Sequence, residues 1–435
     1  MFPSTKYRRF EMSLKLLAII LFIAMYVLMT IFSSKRVWIV LGTAAIYLVS
    51  GILPLKAVPG AINWNVLLMI CGTMVLVDFF VESKMPNLIA DMLLDRAKNV
   101  MWVIILMSLF GGAISAFIDN VATVLMVAPV GIAVCRKLKI SPVPMILSIA
   151  VSSNLQGAAT LVGDTTSIML GAYAKMDFMD FFWMNGKPGI FFAVELGAVC
   201  TVPVMLFLFR DKKQEVHAQE RTKVEDYFPT FLLLLMVALL IGASFIPDKP
   251  DIANGMICCS LAVVAMMRNF GTTQKTDAAQ HALRSIDEET LALLFCLFLV
   301  IQGITQAGLI DDIAKAIAKA GGDNLFLLYT IIVWGSVLIS AFVDNIPYVA
   351  TMLPVITGIT ASLGIEPYLL YFGLLTGATL GGNLTPIGAS ANITATGLLK
   401  KEGYEVSFGD FAKVGLPFTL TAVMAGYLFT WFVWH

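Results

Sequence analysis

The 435 residues are 59% hydrophobic and only 13% charged, with a mean hydropathy of +0.86. Soluble domains carry about 25% charged residues, so the composition excludes an ordinary soluble fold and places the chain among all-α polytopic membrane proteins. Its 29 basic and 29 acidic residues cancel, which removes any electrostatic reason to expect a nucleic-acid partner.

A spanning helix needs about 20 apolar residues. The first half, residues 1–209, offers such runs at 14–32, 37–54 and 63–81. The first run has no small-residue cleavage site after it and reads as a transmembrane helix, not a removable signal. Residues 84–98 place Leu88, Ile89, Met92 and Leu93 on one helical face and Asp91, Asp95, Arg96 and Lys98 opposite, which predicts an interfacial helix. An apolar stretch centred on Asp119 covers 101–135. Another, 143–174, is broken by Asn154, Gln156, Gly157, Gly163 and Asp164, and a helix near 188–209 closes the half. The charged linker 210–227 separates it from the second half, 228–435. There the plan recurs as 228–246, 251–267, 289–307, an amphipathic 309–320, an apolar 325–361, a broken 367–399 and 413–433.

The recurrence extends to residues. Ser115-Ala116-Phe117-Ile118-Asp119-Asn120, running on to Pro129, returns 225 positions later as Ser340-Ala341-Phe342-Val343-Asp344-Asn345, running on to Pro354. Eight of the sixteen positions 115–130 match those of 340–355. At the same offset Gly157 meets Gly382, Thr160 meets Thr385, Gly163 meets Gly388 and Ile168 meets Ile393, while Phe178–Phe181 matches Phe408–Phe411 after a short insertion. Such internal duplication is common in transporters. Each 35-residue stretch either re-enters or crosses twice and adds no net crossing, so each half makes five, and an odd number inverts the second half relative to the first. About 19 Lys and Arg fall on the side of loops 82–99, 136–142, 210–227 and 268–288 against about 10 opposite, which makes that side cytoplasmic and both termini external; the cluster Lys6, Arg8 and Arg9 opposes this orientation.

Asp119 and Asp344 lie at the middle of their apolar stretches. A surface turn between two full crossings would carry several polar, Gly or Pro residues, yet apolar residues flank each pair directly. A re-entrant helical hairpin with its tip inside the protein, over 101–135 and again over 325–361, accounts better for this, because irregular backbone at membrane depth must line protein or a wet cavity. Helix ends there suit ions, and the carboxylates would be costly unless paired, protonated or bound to a cation. Asp and Asn can also cap the second arm, which does not exclude ion binding.

The broken helices supply the other wall. The run Asn154 to Ser167 and the run Thr379 to Asn392 combine chain-unwinding glycines and Pro386 with hydroxyls and amides, neutral oxygen ligands suited to a hard cation. This marks Asn154, Thr160, Gly163, Thr165, Thr166, Thr379, Asn383, Thr385, Gly388, Ser390 and Asn392, with Asn120 and Asn345, as solute-binding candidates. Asp119, Asp344 and Asp164, with Asn120 and Asn345, are the candidates for proton or cation coupling. Close packing of small residues accounts for Gly171 and Gly397. The two breaks are unequal: Asp164 aligns with Ala389 and Ser167 with Asn392. Asp78 and Glu195 are single-copy acids with interfacial or interhelical roles as readily as coupling ones. The six cysteines, 71, 135, 200, 258, 259 and 296, lack metal or disulfide spacing; Cys258-Cys259 could touch a thiophilic solute. The three histidines, 217, 281 and 435, fall in polar linkers or at the end, against a histidine proton relay. No GxxxxGK[ST] run is present, so nucleotide hydrolysis would need a separate ATPase subunit.

Carried by the paired SAF-[IV]-DN tips, the Gly157–Asp164 run and above all Gly381–Asn392, the chain resembles the ion transporter superfamily over nearly its whole length. It is most similar to the arsenite permease and melanosomal P-protein branch, beside the sodium/proton antiporters and citrate-type permeases. The resemblance implies an elevator-type secondary transporter, usually a homodimer in a plasma or bacterial inner membrane, with no cofactor and with Na+ a candidate at the hairpin tips. Related sodium–dicarboxylate symporters carry Ser-Asn-Thr at each tip, where this chain has Asp119-Asn120-Val121 and Asp344-Asn345-Ile346. The added charge favours a coupled proton or Na+, or an uncharged or cationic solute. The expected function is H+- or Na+-coupled movement of an arsenite-like or other small anionic solute, with Na+/H+ antiport as the alternative. A channel and an intramembrane aspartyl protease, the latter suggested by Val162-Gly163-Asp164, are remoter classes. The expected partners are the small solute, membrane lipid and a second copy of the chain.

Overall fold

A computed structural model describes residues 5–32, 35–216, 221–270, 286–322 and 324–435. His217, His281 and most of the loop 268–288 lie outside the described residues. The first half contains α1 (Thr5–Ile31), α2 (Arg36–Ser50), α3 (Trp64–Glu82), α4 (Met85–Leu94), α5 (Val100–Ser115), α6 (Asn120–Leu138), α7 (Val143–Gly157), α8 (Thr165–Ala174) and α9 (Ile190–Leu208). The second half contains α10 (Phe228–Ala243), α11 (Ala253–Phe270), α12 (Glu288–Gln306), α13 (Leu309–Gly321), α14 (Leu325–Ser340), α15 (Asn345–Leu363), α16 (Tyr368–Gly381), α17 (Ser390–Lys401) and α18 (Phe408–Trp434). Among the described residues, seven helices, α1, α3, α6, α9, α12, α15 and α18, are long and apolar enough to span a membrane.

Matching local chemistry sets matching boundaries. Asn99 accepts from Trp102 N at 3.1 Å to start α5, and Asn324 accepts from Leu327 N at 3.1 Å to start α14. Asp119 and Asp344 then cap α6 and α15. The arms of each hairpin therefore keep the 225-residue offset at both ends. At 1.5 Å per residue, the 16-residue arms α5 and α14 are only about 24 Å long, short of a hydrocarbon core of about 30 Å.

Packing also follows the repeat. α5 lies along α7 as α14 lies along α16, and α1 lies on α2 as α10 lies on α11. Across the halves, α2 packs on α12, α3 on α11 and α9 on α18. Apolar side chains left outside this core, such as Ile20, Ile23 and Val27 on α1 and Phe231 and Leu234 on α10, are exposed, as lipid contact requires.

Two expectations need correction. Helix α4 is not split into the expected faces: Asp91 is buried and Met92 is exposed. The cause is the linker, whose Thr222 donates to Asp91 from N at 2.8 Å and from Oγ1 at 2.6 Å. The linker thus packs on the first half. It also pairs Arg221 with Asp95 and Lys84 with Glu225, and Gln214 O and Lys212 O accept from Val100 N and Met101 N. Finally, the chain is predominantly helical but not purely so: Trp183–Met184 and Lys187–Pro188 form a two-stranded antiparallel ribbon.

Candidate functional site

The two hairpin turns and the two helix breaks meet at the centre of the protein, around a cavity of about 440 Å³. Four helices point their N-termini at it: α6, α8, α15 and α17. Each N-terminus leaves backbone N–H groups unpaired and carries partial positive charge. Three of the four residues just before them are aspartates, Asp119, Asp164 and Asp344; the fourth is Ala389. Asp119 Oδ2 accepts from Val121 N at 2.9 Å and Ala122 N at 3.3 Å. Asp344 Oδ1 accepts from Ile346 N at 3.1 Å. Asp164 instead accepts from Thr166 Oγ1 at 2.9 Å.

Of the candidates drawn from the sequence, Asp119, Asn120, Asn154, Asp164, Thr165, Asp344, Asn345 and Ser390 line the cavity. Thr160, Gly163, Thr166, Thr379, Asn383, Thr385, Gly388 and Asn392 stand behind that wall and hold its shape. Thr160 Oγ1 donates to Ala116 O and Thr385 Oγ1 to Ala341 O, tying each break to the turn of its own hairpin. A Cβ on Gly163 would sit 2.6 Å from Ser115 O and 2.7 Å from Ala116 O; on Gly388 it would sit 2.8 Å from Ser340 O and Ala341 O. Only glycine lets hairpin and break approach this closely.

An amide chain joins the halves. Ser115 Oγ donates to Asn120 Oδ1 at 2.8 Å, and Asn120 Nδ2 donates to Asn154 Oδ1 at 3.2 Å. Asn154 Nδ2 donates onward to Asn383 Oδ1 at 2.8 Å and Asn392 Oδ1 at 3.0 Å. Asn392 Nδ2 closes on Gly382 O and Thr385 O, and Thr166 meets Thr379 hydroxyl to hydroxyl at 3.1 Å. In this buried setting each unmatched amide would be costly, so the network fixes one arrangement. The second tip lacks its equivalent: Ser340 Oγ donates to Ala378 O, and Asn345 makes no side-chain bond among the described residues.

The structure adds Arg36, Asp287 and Thr290 to the wall. Asp287 caps α12 through Thr290 N at 3.0 Å and is close enough to Asp119 to act on its charge. Arg36, the first residue of α2, places Nη1 2.7 Å from Asp344 Oδ2. The sequence signal for both was weak. Arg36 follows Lys35 between two apolar runs, and Asp287 stands beside Glu288 and Glu289. Among the described residues, Arg36 is the one Lys or Arg on the cavity wall, against four carboxylates.

Other candidates lie elsewhere. Asp78 and Glu195 do not reach the cavity, nor does any cysteine among its lining residues. Cys258 is buried where α11 meets α3, and Cys259 Sγ donates to Leu68 O at 3.2 Å, so neither lies on the wall of the central cavity. His435 stacks on Trp431. Gly171 packs on Leu161 and Met176, but a Cβ on Gly397 would meet nothing within 4 Å, so close packing does not account for that glycine. No acidic, Cys or His cluster suited to a metal ion occurs among the described residues.

Comparison with known proteins gives this site its context. Residues 19–372 and 252–435 match the citrate transporter family, CitMHS. An uncharacterized transporter of Mycobacterium tuberculosis (strain ATCC 25618 / H37Rv) is 28% identical over 96% of this chain and 98% of its own length. The P protein of Homo sapiens is 24% identical over 84% of this chain, which spans 53% of that longer protein. Among solved structures, the Alcanivorax borkumensis YdaH transporter superposes with a TM-score of 0.60 at 15% identity, covering 86% of each chain. Neisseria gonorrhoeae MtrF gives 0.56 at 13%, covering 87% of this chain and 82% of its own. These two share the fold. The relatives and neighbours are membrane transporters, not enzymes, and the chain is a multi-pass membrane protein of the citrate transporter family.

Proposed function

We propose that the protein is a secondary active transporter that moves a small solute through the central cavity in exchange for, or together with, H+ or Na+. The observation that carries this is the wall formed by Asp119, Asp164 and Asp287, which no lysine or arginine neutralises among the described residues. Asp164 is buried and Asp119 half-buried, and carboxylates so withdrawn from water need a proton or cation to offset their charge, whereas Asp287 is exposed and adds to the negative field of the wall. A site that must be loaded with a cation before it moves is a coupling site. The same charge weighs on the cargo. It favours a small solute that is uncharged, as arsenous acid is at neutral pH, or an anion that arrives with its cation.

The duplicated architecture supports inverted halves and elevator-like motion. The hairpins and broken helices, α5–α8 and α14–α17, would hold the solute between them, in a homodimer. The short arms and buried tips support re-entry over a full crossing. The test is an uptake panel in proteoliposomes with arsenite, citrate, succinate, sulfate and Na+, under imposed pH or Na+ gradients. Because MtrF is described as an antimetabolite efflux pump, both directions belong in it. Uphill, saturable flux that follows one of the gradients is expected; flux indifferent to both would remove the proposal. Na+/H+ antiport is the second reading, favoured by four carboxylates against one guanidinium. It predicts a Na+-driven pH change with no other solute present.

A further inference from the structure

Among the described residues, only one of the duplicated aspartates stands without a cation. Asp344 Oδ2 receives Arg36 Nη1 at 2.7 Å and Ser390 Oγ at 3.2 Å, and Arg36 Nη1 also reaches Ser390 Oγ at 3.3 Å. Arg36 and Asp344 are only 19% and 15% exposed, so the pair is largely withdrawn from water. Arg36 comes from the other half of the chain. The connection that corresponds to its own, between α10 and α11, carries Lys249, and that ammonium pairs with Asp177 away from the central cavity. Among the described residues Asp119 therefore has no equivalent partner; the charged groups on the wall beside it are Asp164 and Asp287.

We infer that Arg36 is a resident counter-cation that occupies the second tip permanently, so that Asp344 is closed to the transported ion and coupling runs through the first tip alone. This rests on the proposed cation-coupled transport. A guanidinium keeps its charge at any physiological pH, so the Asp344 tip stays neutralised through the cycle without taking a proton or Na+ from either side. The duplication would otherwise provide two equivalent carboxylates and a higher cation requirement per solute. On this view Arg36 sets the stoichiometry, not the chemistry of the solute.

The test counts cations per cargo molecule in proteoliposomes, with radioactive Na+ and an internal pH dye as probes and citrate or arsenite as cargo. Arg36→Gln should raise the count by one, because Asp344 then takes an ion of its own. The double variant Arg36→Gln/Asp344→Asn should return to the wild-type count, whatever it loses in rate. If Arg36→Gln fails to fold, the double variant alone decides, since it removes charge pair and tip carboxylate together. A wild-type count in Arg36→Gln, or a lower count in the double variant, would overturn the inference while leaving cation-coupled transport standing. A wild-type protein that moves neither cation with either cargo, nor Na+ alone, would instead strike the proposed function itself.

Discussion

The two hairpin tips share a sequence and a backbone but not an electrostatic setting. Both turn through Ser-Ala-Phe-x-Asp-Asn, and both cap the next helix with the aspartate. At the first tip the carboxylate faces other carboxylates and the neighbouring amide is locked to Asn154. At the second it faces a guanidinium and the amide is free among the described residues. Duplication thus keeps the scaffold, and residues outside the repeated motif give each copy a different charge setting.

The largest expected effect separates the tips directly. Asp119→Asn removes the charge but keeps a good N-cap. Losing a charge–charge contact in such a site costs about 3 kcal/mol, roughly a hundredfold in cation affinity, and cation titration of transport should show it with little change in thermal stability. Asp344→Asn should do the reverse. It strands Arg36 away from water at a cost of about 2 kcal/mol, set below the fully buried range because the pair is partly exposed, so thermal unfolding should fall while the cation count holds. Equal loss of coupling in both variants would erase the distinction. Asn154→Ala should cost about 1.5 kcal/mol by leaving buried amides unpaired, and it should disturb the first tip more than the second. The smallest effect tests what the tips share: Thr160→Val and Thr385→Val should each cost about 1 kcal/mol, and unequal values would show that the scaffolds differ too.

Most of the fold was legible in the sequence because the period of apolar runs, the Asn and Asp caps and the repeated glycines are local signals. The break residues were legible as a group for the same reason. Their division into lining and supporting positions was not, since helix phase and long-range contact decide whether Thr165 or Thr166 meets the cavity. Arg36 and Asp287 were missed because each sits at the start of a helix far in sequence from its target: the partner of Arg36 is 308 residues away. The buried face of α4 was missed because burial of Asp91 depends on Thr222, a linker residue that composition marks as solvent-exposed. The two-stranded ribbon is too short to leave a periodic signal.

The reciprocal packing of α2 on α12 and α3 on α11 carries a consequence for how such a chain could arise and fail. Each half lays an apolar face on its counterpart, so neither half contains its own complete interior. A half-length ancestor of this design would have had to work as a pair of molecules, each completing the other. In the joined chain the same arrangement makes assembly reciprocal. If synthesis stops after the linker, the product holds every residue of the first tip but lacks α11 and α12, the surfaces on which its own early helices close.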